Sequence, residues 1–199
     1  MNTCRGAHLV GPDGHLRARI VDALLEAGWE VATTATMRER LDLGVFIPTN
    51  GTSAPLSTMS PADWWSCVGE NLTSAFHCAK ELIPRLSWSG GALVFVSSLL
   101  GEIGAPYRTA FSAAAAGIIG LVKALTVDVT TVRFSAVAPA FPIPEELWSS
   151  ADVDWHANSA SLNERSIARA TADAVLFLAN DREGHHRGQV IRIPSGITT

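Results

Sequence analysis

Lysine and tyrosine are nearly missing from this chain of 199 residues. Lys80 and Lys123 are its two lysines, and Tyr107 is its single tyrosine. Chemistry that needs a phenol or an ammonium group therefore has few places to stand. Cysteine is scarce as well: Cys4, Cys67 and Cys78 are an odd, widely spaced set, which argues against a disulfide framework in a chain this long. Cys67 and Cys78 read as helix-packing residues. No apolar run approaches the roughly 18 to 20 residues that a membrane span needs, and Met1 to Val10 lacks the long apolar segment of a signal peptide. Basic residues are not in excess, since the net charge is -4. A nucleic acid or an acidic membrane is therefore not an expected partner. The cytoplasm is the expected location.

What the chain does have is a core. Hydrophobic residues make up 47% and charged residues 17%, enough for one domain and too little chain for two, so 1–199 reads as a single unit. Ala7 to Val10 reads as a strand, ended by the turn Gly11-Pro-Asp-Gly14. Leu16, Ile20, Ala23, Leu24 and Ala27 recur at helical spacing, and Gly28 stops that helix. Glu30 to Thr34 and Val45 to Ile47 follow as strands. A long helix is expected from about Pro61 to Leu86, bent near Glu70. Gly91 to Ser97 is the clearest strand, apolar on both faces. Helices at about Ala110 to Val127 and Ala168 to Leu178, with strands at Arg133 to Val137 and Gln189 to Ile193, complete the pattern. Phe141 to Asn163, with Trp148, Trp155 and His156, reads as a loop or helical flap over a pocket. Alternating strands and helices predict an α/β fold, a Rossmann-like doubly wound parallel sheet covered on both faces.

From Trp64 onward the motifs resemble those of the short-chain dehydrogenase/reductase family. Trp64 with Asn71-Leu72-Thr73 resembles the family's Trp and Asn-Leu-Thr-Gly stretch. Val94-Phe-Val-Ser-Ser98-Leu-Leu-Gly101 resembles the strand that carries its serine. Ser135-Ala-Val-Ala-Pro139, Gly188-Gln-Val-Ile-Arg and Gly51, which closes a worn Asn-Asn-Ala-Gly, follow in the family's order. The resemblance implies a tetrad of Asn, Ser, Tyr and Lys, in which the tyrosine transfers a proton while hydride moves to or from nicotinamide. The lysine stands one helical turn beyond the tyrosine and holds the ribose. Asn71 and Ser98 occupy the first two positions, but Phe111 and Ala115 stand where Tyr and Lys belong. Phenylalanine exchanges no proton at any pH. Lys123 lies about 18 Å further along the helix, and Tyr107 precedes it.

The cofactor end departs from the family too. Its glycine-rich turn lets pyrophosphate touch backbone at a helix N-terminus. Gly11 fits the first glycine and Gly14 could supply another, while His15 and Arg17 fall where glycines belong. Arg17 would obstruct a dinucleotide or contact its phosphate. Thr33 to Thr36 offers no carboxylate for the adenosine ribose, and Arg38 and Arg40 are the cations within reach of a 2′-phosphate. The ten or so residues between the second and third strands leave no room for the strand-helix unit that the resemblance implies there, so the sheet is expected to be truncated.

Several of these features have plainer readings. Asn71 could prop the helix bend and Ser98 cap a strand end. Gly11 to Gly14 could be an ordinary tight turn. His185-His186 reads as a solvated loop, not a metal pair, with no third ligand at a suitable spacing. His156 reads as a surface residue. The small-residue stripe Ala113 to Gly120 lets helices approach closely, and the resemblance implies that this helix and the one near Asn71 pair subunits.

Three functions remain open. In the first, the chain is the degenerate subunit of a heteromeric oxidoreductase, joined through helices 71–86 and 110–127 to a complete reductase in a hetero-oligomer for which the family's habit implies a heterotetramer. That partner carries NADP or NAD, and this chain binds no cofactor tightly. The sequence resembles the shortened partner of the novobiocin-type aminocoumarin antibiotic pathway, where such a pair oxidises a carrier-bound β-hydroxytyrosyl group to the β-keto form. In the second, the chain is a self-sufficient ketoreductase, isomerase or cyclase working through Asn71, Ser98 and water. In the third, it is a non-enzymatic binding or scaffold protein.

Overall fold

The computed structural model describes residues 5–32, 39–49, 53–140 and 164–194. The elements run β1 (Arg5–Val10), α1 (His15–Glu26), β2 (Trp29–Ala32), β3 (Leu43–Phe46), α2 (Pro61–Val68), a π-helical turn (Gly69–Thr73), α3 (Ser74–Ser87), β4 (Ala92–Val96), α4 (Leu100–Ile103), α5 (Thr109–Asp128), β5 (Arg133–Pro139), α6 (Glu164–Asn180) and β6 (Val190–Ile193). The six strands form one sheet in the order β2-β1-β3-β4-β5-β6, and every pair is parallel. This is the expected Rossmann-like arrangement, with β2 at one edge and residues 33–42 as the whole connection from β2 to β3. The expected flap at 141–163, Gly51, Thr33 to Thr36 and Arg38 lie outside the described residues.

The period-two alternation of a strand sorts side chains onto two cores. Along β4, Ala92, Val94 and Val96 point to one layer, where Ile20 and Leu24 of α1 meet Ala172, Val175 and Leu178 of α6. Leu93 and Phe95 point to the other, with Phe46, Phe134, Ala79, Leu82 and Leu86 of α3, and Ile118 and Val122 of α5. Burial on both faces is why β4 is the most apolar strand.

Three expectations need correction. The third strand begins at Leu43, two residues earlier than its apolar run suggested. Gly44 hid it: a Cβ there would stand 2.8 Å from Leu93 Cδ1 and 2.9 Å from Leu82 Cδ1, so the position is buried without being apolar in composition. The helix at 61–86 is three segments. Ser60 and Asp63 form a capping box at its start, with Pro61 at the first helical position, and the bend near Glu70 is the π-helical turn. Finally, α5 is long and apolar enough to cross a membrane by length and composition, with a mean hydropathy of 1.8 over its best window. Alanine and glycine among the larger apolar residues hid that run. In this fold Ala114, Ile118 and Val122 of α5 are buried in the protein's own interior.

Candidate functional site

In an open parallel sheet, ligands bind beyond the carboxyl ends of the strands, where the strand order reverses. Here that point lies between β1 and β3. The turn Gly11–Gly14 leaves β1, Ile47 to Thr49 leaves β3, and Ser97 and Ser98 leave β4.

Asn71 reaches this end from the π-helical turn and is fully buried. Its Nδ2 donates to the Cys67 carbonyl at 2.8 Å, and its Oδ1 accepts from the Thr49 backbone N–H at 3.1 Å. One amide thus ties the altered helix turn to the strand end. Ser98 is also fully buried, and its Oγ accepts from the Leu100 backbone N–H at 3.1 Å, at the start of α4. Asn71 contacts the altered helix turn, and Ser98 contacts the start of α4 rather than the end of a strand.

Phe111 is 2% exposed and packs with Cys67, Leu100 and Ala110, flanked by Met59, Trp64 and Ala105. Ala115 is buried beside it, and its carbonyl accepts from Ser97 Oγ at 2.9 Å. Where a phenol and an ammonium would stand, the chain presents an apolar cluster. Tyr107 does not replace them. It lies in the turn before α5 with a φ of 61°, is 45% exposed, and its carbonyl accepts from the Ala54 N–H. Lys123 is exposed near the far end of α5.

Sequence reasoning did not place Arg108 at this end, and read Cys67 only as a helix-packing residue. Arg108 is 3% exposed just before α5, although an arginine in a turn normally reads as solvated. Cys67 lies one helical turn before Asn71, its Sγ 3.9 Å from Asn71 Nδ2. Burial and the Glu70 carboxylate push the Cys67 thiol up to about 11, against the opposing pull of Arg108 and the Asn71 hydrogen bond. At neutral pH it is a neutral thiol and a poor nucleophile.

Arg17 folds against the turn after β1. Arg17 Nη1 donates to the carbonyls of Leu9 at 3.1 Å and Gly11 at 3.3 Å, and its Nε lies 3.4 Å from Asp13. A Cβ on Gly11 would stand 2.5 Å from the Ile47 carbonyl oxygen. The close approach of the turn to the end of β3 accounts for that glycine without a ligand. Gly14 is the N-cap of α1 and offers no side-chain cap. Arg40, an expected candidate for a 2′-phosphate, instead lines a cleft with Arg5, Trp29 and Gly91, at the amino ends of the strands.

His185 and His186 are drawn together by one carboxylate, their Nδ1 atoms 3.4 and 3.0 Å from Asp181. The described residues contain no group of three or more His, Cys, Asp or Glu placed to hold a metal.

The chain is similar to known proteins in sequence and in fold. The profile of a family described as enoyl-(acyl carrier protein) reductase matches residues 39–198. The 3-oxoacyl-(acyl-carrier-protein) reductase FabG of Chlamydia trachomatis serovar D is 32% identical over 150 residues, covering 72% of this chain and 60% of that protein. A 3beta-hydroxysteroid dehydrogenase of Mediterraneibacter gnavus is 30% identical over 176 residues, covering 75% of this chain and 63% of that protein. The chain thus spans about 60% of the length of these curated relatives. Among solved structures, ElxO with NADP bound superposes with a TM-score of 0.78 at 19% identity, covering 98% of both chains.

Proposed function

Because this chain belongs to the short-chain dehydrogenase/reductase family, we propose that it is the catalytically incomplete subunit of a heteromeric oxidoreductase, paired with a complete reductase. The observation that carries this reading is the burial of Phe111 in an apolar cluster and of Ala115 in the interior one helical turn on, at the positions that the family resemblance gives to its proton-transferring tyrosine and lysine. The turn after β1 supports it: Arg17 stands where the family resemblance expects a glycine, and its side chain lies against the turn on the carbonyls of Leu9 and Gly11. The chain therefore holds no cofactor tightly, and the partner subunit carries NADP or NAD. In this reading the missing strand-helix unit after β2 belongs to the same loss of the cofactor end. Asn71 and Ser98 keep their positions because they hold the π-helical turn and the start of α4.

The relatives' names speak of carrier-bound 3-oxoacyl and 3β-hydroxysteroid groups, so the proposed pair acts on a hydroxyl or keto group. The finer proposal is oxidation of a carrier-bound β-hydroxytyrosyl group in a bacterial antibiotic pathway, in the cytoplasm. It rests on the chain's resemblance to a shortened partner subunit.

The test is calorimetric titration of NADPH and NADH into the chain alone, into Arg17→Gly, and into a mixture with a complete reductase from the same source. The chain alone should show no binding below about 1 mM. Arg17→Gly should bind at least about tenfold more tightly than the natural chain, and the mixture should bind and turn over. Micromolar binding by the chain alone, weakened by Arg17→Gly, would make Arg17 a phosphate ligand and favour the self-sufficient enzyme. No turnover in any mixture would favour the scaffold reading.

A further inference from the structure

At the amino ends of the strands, opposite the site described above, lies a cleft of about 560 Å³ lined by Arg5, Arg40, Arg133 and Arg182, with Trp29 and Asp42 among its other walls. Its volume lies within the range of small-molecule pockets. The four arginines come from four distant parts of the chain. Arg5 opens β1, Arg133 opens β5, Arg40 precedes β3, and Arg182 follows α6.

A bland account exists. Helices α1, α3 and α6 all end near this cleft, and each C-terminus carries roughly half a negative charge. Cations are welcome there: Arg5 Nη2 reaches the Ala27 carbonyl at 3.5 Å, and Arg133 Nη1 the Arg182 carbonyl at 3.3 Å. This account does not exhaust the charge. Three half-charges and Asp42, whose Oδ2 also accepts from the Gly6 N–H, fall short of four guanidinium groups. Nearby Asp181 adds one more negative charge, which attracts Arg133, and the total still falls short of the four cations by about half a charge.

The arginines themselves show the shortfall. The Arg40 and Arg182 guanidinium groups make no hydrogen bond or ion pair among the described residues. Arg133 is partly buried, its Nε is inaccessible and has no acceptor, and burial together with Arg182 pulls its pKa below the ordinary value, against the attraction of Asp181. Arg5 is held in place over the Trp29 ring, 4.2 Å from its centroid, and by Asn180 Oδ1 at 2.6 Å.

We propose that this cleft binds a multiply charged phosphate-type oxyanion, as free phosphate or diphosphate or as the phosphate group of a larger ligand. Guanidinium forks match such an oxyanion from several directions at once, and four of them converge on this cleft.

The probe is inorganic pyrophosphate, titrated into the full chain by calorimetry, with orthophosphate as a second probe. A dissociation constant below about 1 mM is expected for pyrophosphate, with weaker binding of orthophosphate. The double variant Arg40→Ala/Arg182→Ala should weaken pyrophosphate at least about tenfold. Among the described residues neither side chain has a hydrogen-bond or ion-pair partner, so the fold should be kept. Arg192→Ala should leave binding unchanged, because that residue pairs with Glu102 away from the cleft. No detectable binding would overturn the proposal. So would binding that survives the double variant, which would place the anion elsewhere, or an equal loss with Arg192→Ala, which would reduce the effect to overall charge.

Discussion

Asn71 uses both ends of its amide on backbone groups that regular structure leaves without a partner, the Cys67 carbonyl beside the π-helical turn and the Thr49 N–H beyond β3. Leucine has a similar volume and neither bond. A buried polar group left unpaired costs about 1–3 kcal/mol, so Asn71→Leu should lower the unfolding free energy by about 2 kcal/mol or more. Urea denaturation at constant slope would read this; a loss under about 0.5 kcal/mol would mean that the amide holds neither element. Asp181 makes a prediction about pH. Burial opposes its charge, but hydrogen bonds from the backbone and side chains of His186 and His185 outweigh it, and the pKa falls from 3.8 to about 2. A carboxylate whose folded pKa is depressed stabilises the fold above its unfolded pKa, and this is lost as pH falls through the folded value. The contribution of Asp181 should therefore be intact at neutral pH, erode below about pH 4 and vanish near pH 2. The stability gap between the natural chain and Asp181→Asn should close over that interval. A gap that stays constant would assign the effect to something other than the charge.

At the scale of elements, the contact between α4 and α5 depends on a missing side chain. A Cβ on Gly101 would lie 2.6 Å from the Ala116 backbone nitrogen and 2.8 Å from the Ala115 carbonyl carbon. Backbone atoms cannot step aside as a flexible side chain would, so α4 must lift from α5. Gly101→Ala should cost about 1–3 kcal/mol, the usual penalty of overpacking. Gly120, on the exposed side of α5, meets nothing within 4 Å, so Gly120→Ala should instead gain about 0.5–1 kcal/mol of helix propensity. Denaturation midpoints that moved in the same direction for both variants would refute this account of the stripe. The same elements show what could be read from sequence. Helix α1 was legible because a period of 3.6 is written in its apolar residues, and strand β4 because it is a short unbroken apolar run. The start of β3 was not, because Gly44 is buried for the sake of Leu82 and Leu93 and carries no apolar mark of its own. Phe111 and Ala115 could be placed by counting from Ser98, yet the inward fold of Arg17 could not, since its partners are backbone carbonyls that have no sequence signature. The arginine cleft was invisible for a related reason: its members are brought together only by the register of a parallel sheet.

For the whole molecule, the two faces of the sheet differ in what they leave outside. On one side α3 buries Ala75, Cys78, Ala79, Leu82 and Leu86 but leaves Phe76 47% exposed, and Trp65 stands exposed on the preceding α2. The ring contact of Phe76 is with His77, its neighbour in sequence. On the other side, α1 leaves Leu25 exposed and α6 leaves Phe177 exposed, its ring against His186 beyond α6. Exposed aromatic side chains are the residues that most often anchor an interface when a partner covers them. If the proposed reductase docks on α3 and α5, Phe76→Glu should weaken its association at least about tenfold, because a desolvated carboxylate would replace a buried ring. Melting of the isolated chain should shift little, since the side chain is already in water. Leu25→Glu introduces the same charge on the opposite layer and should leave association unchanged. Sedimentation of the mixture at several concentrations would measure both. Equal weakening by the two variants would mean that net charge, not a defined face, governs pairing. No weakening by Phe76→Glu would move the contact off α3 and leave the exposed ring without a role in assembly.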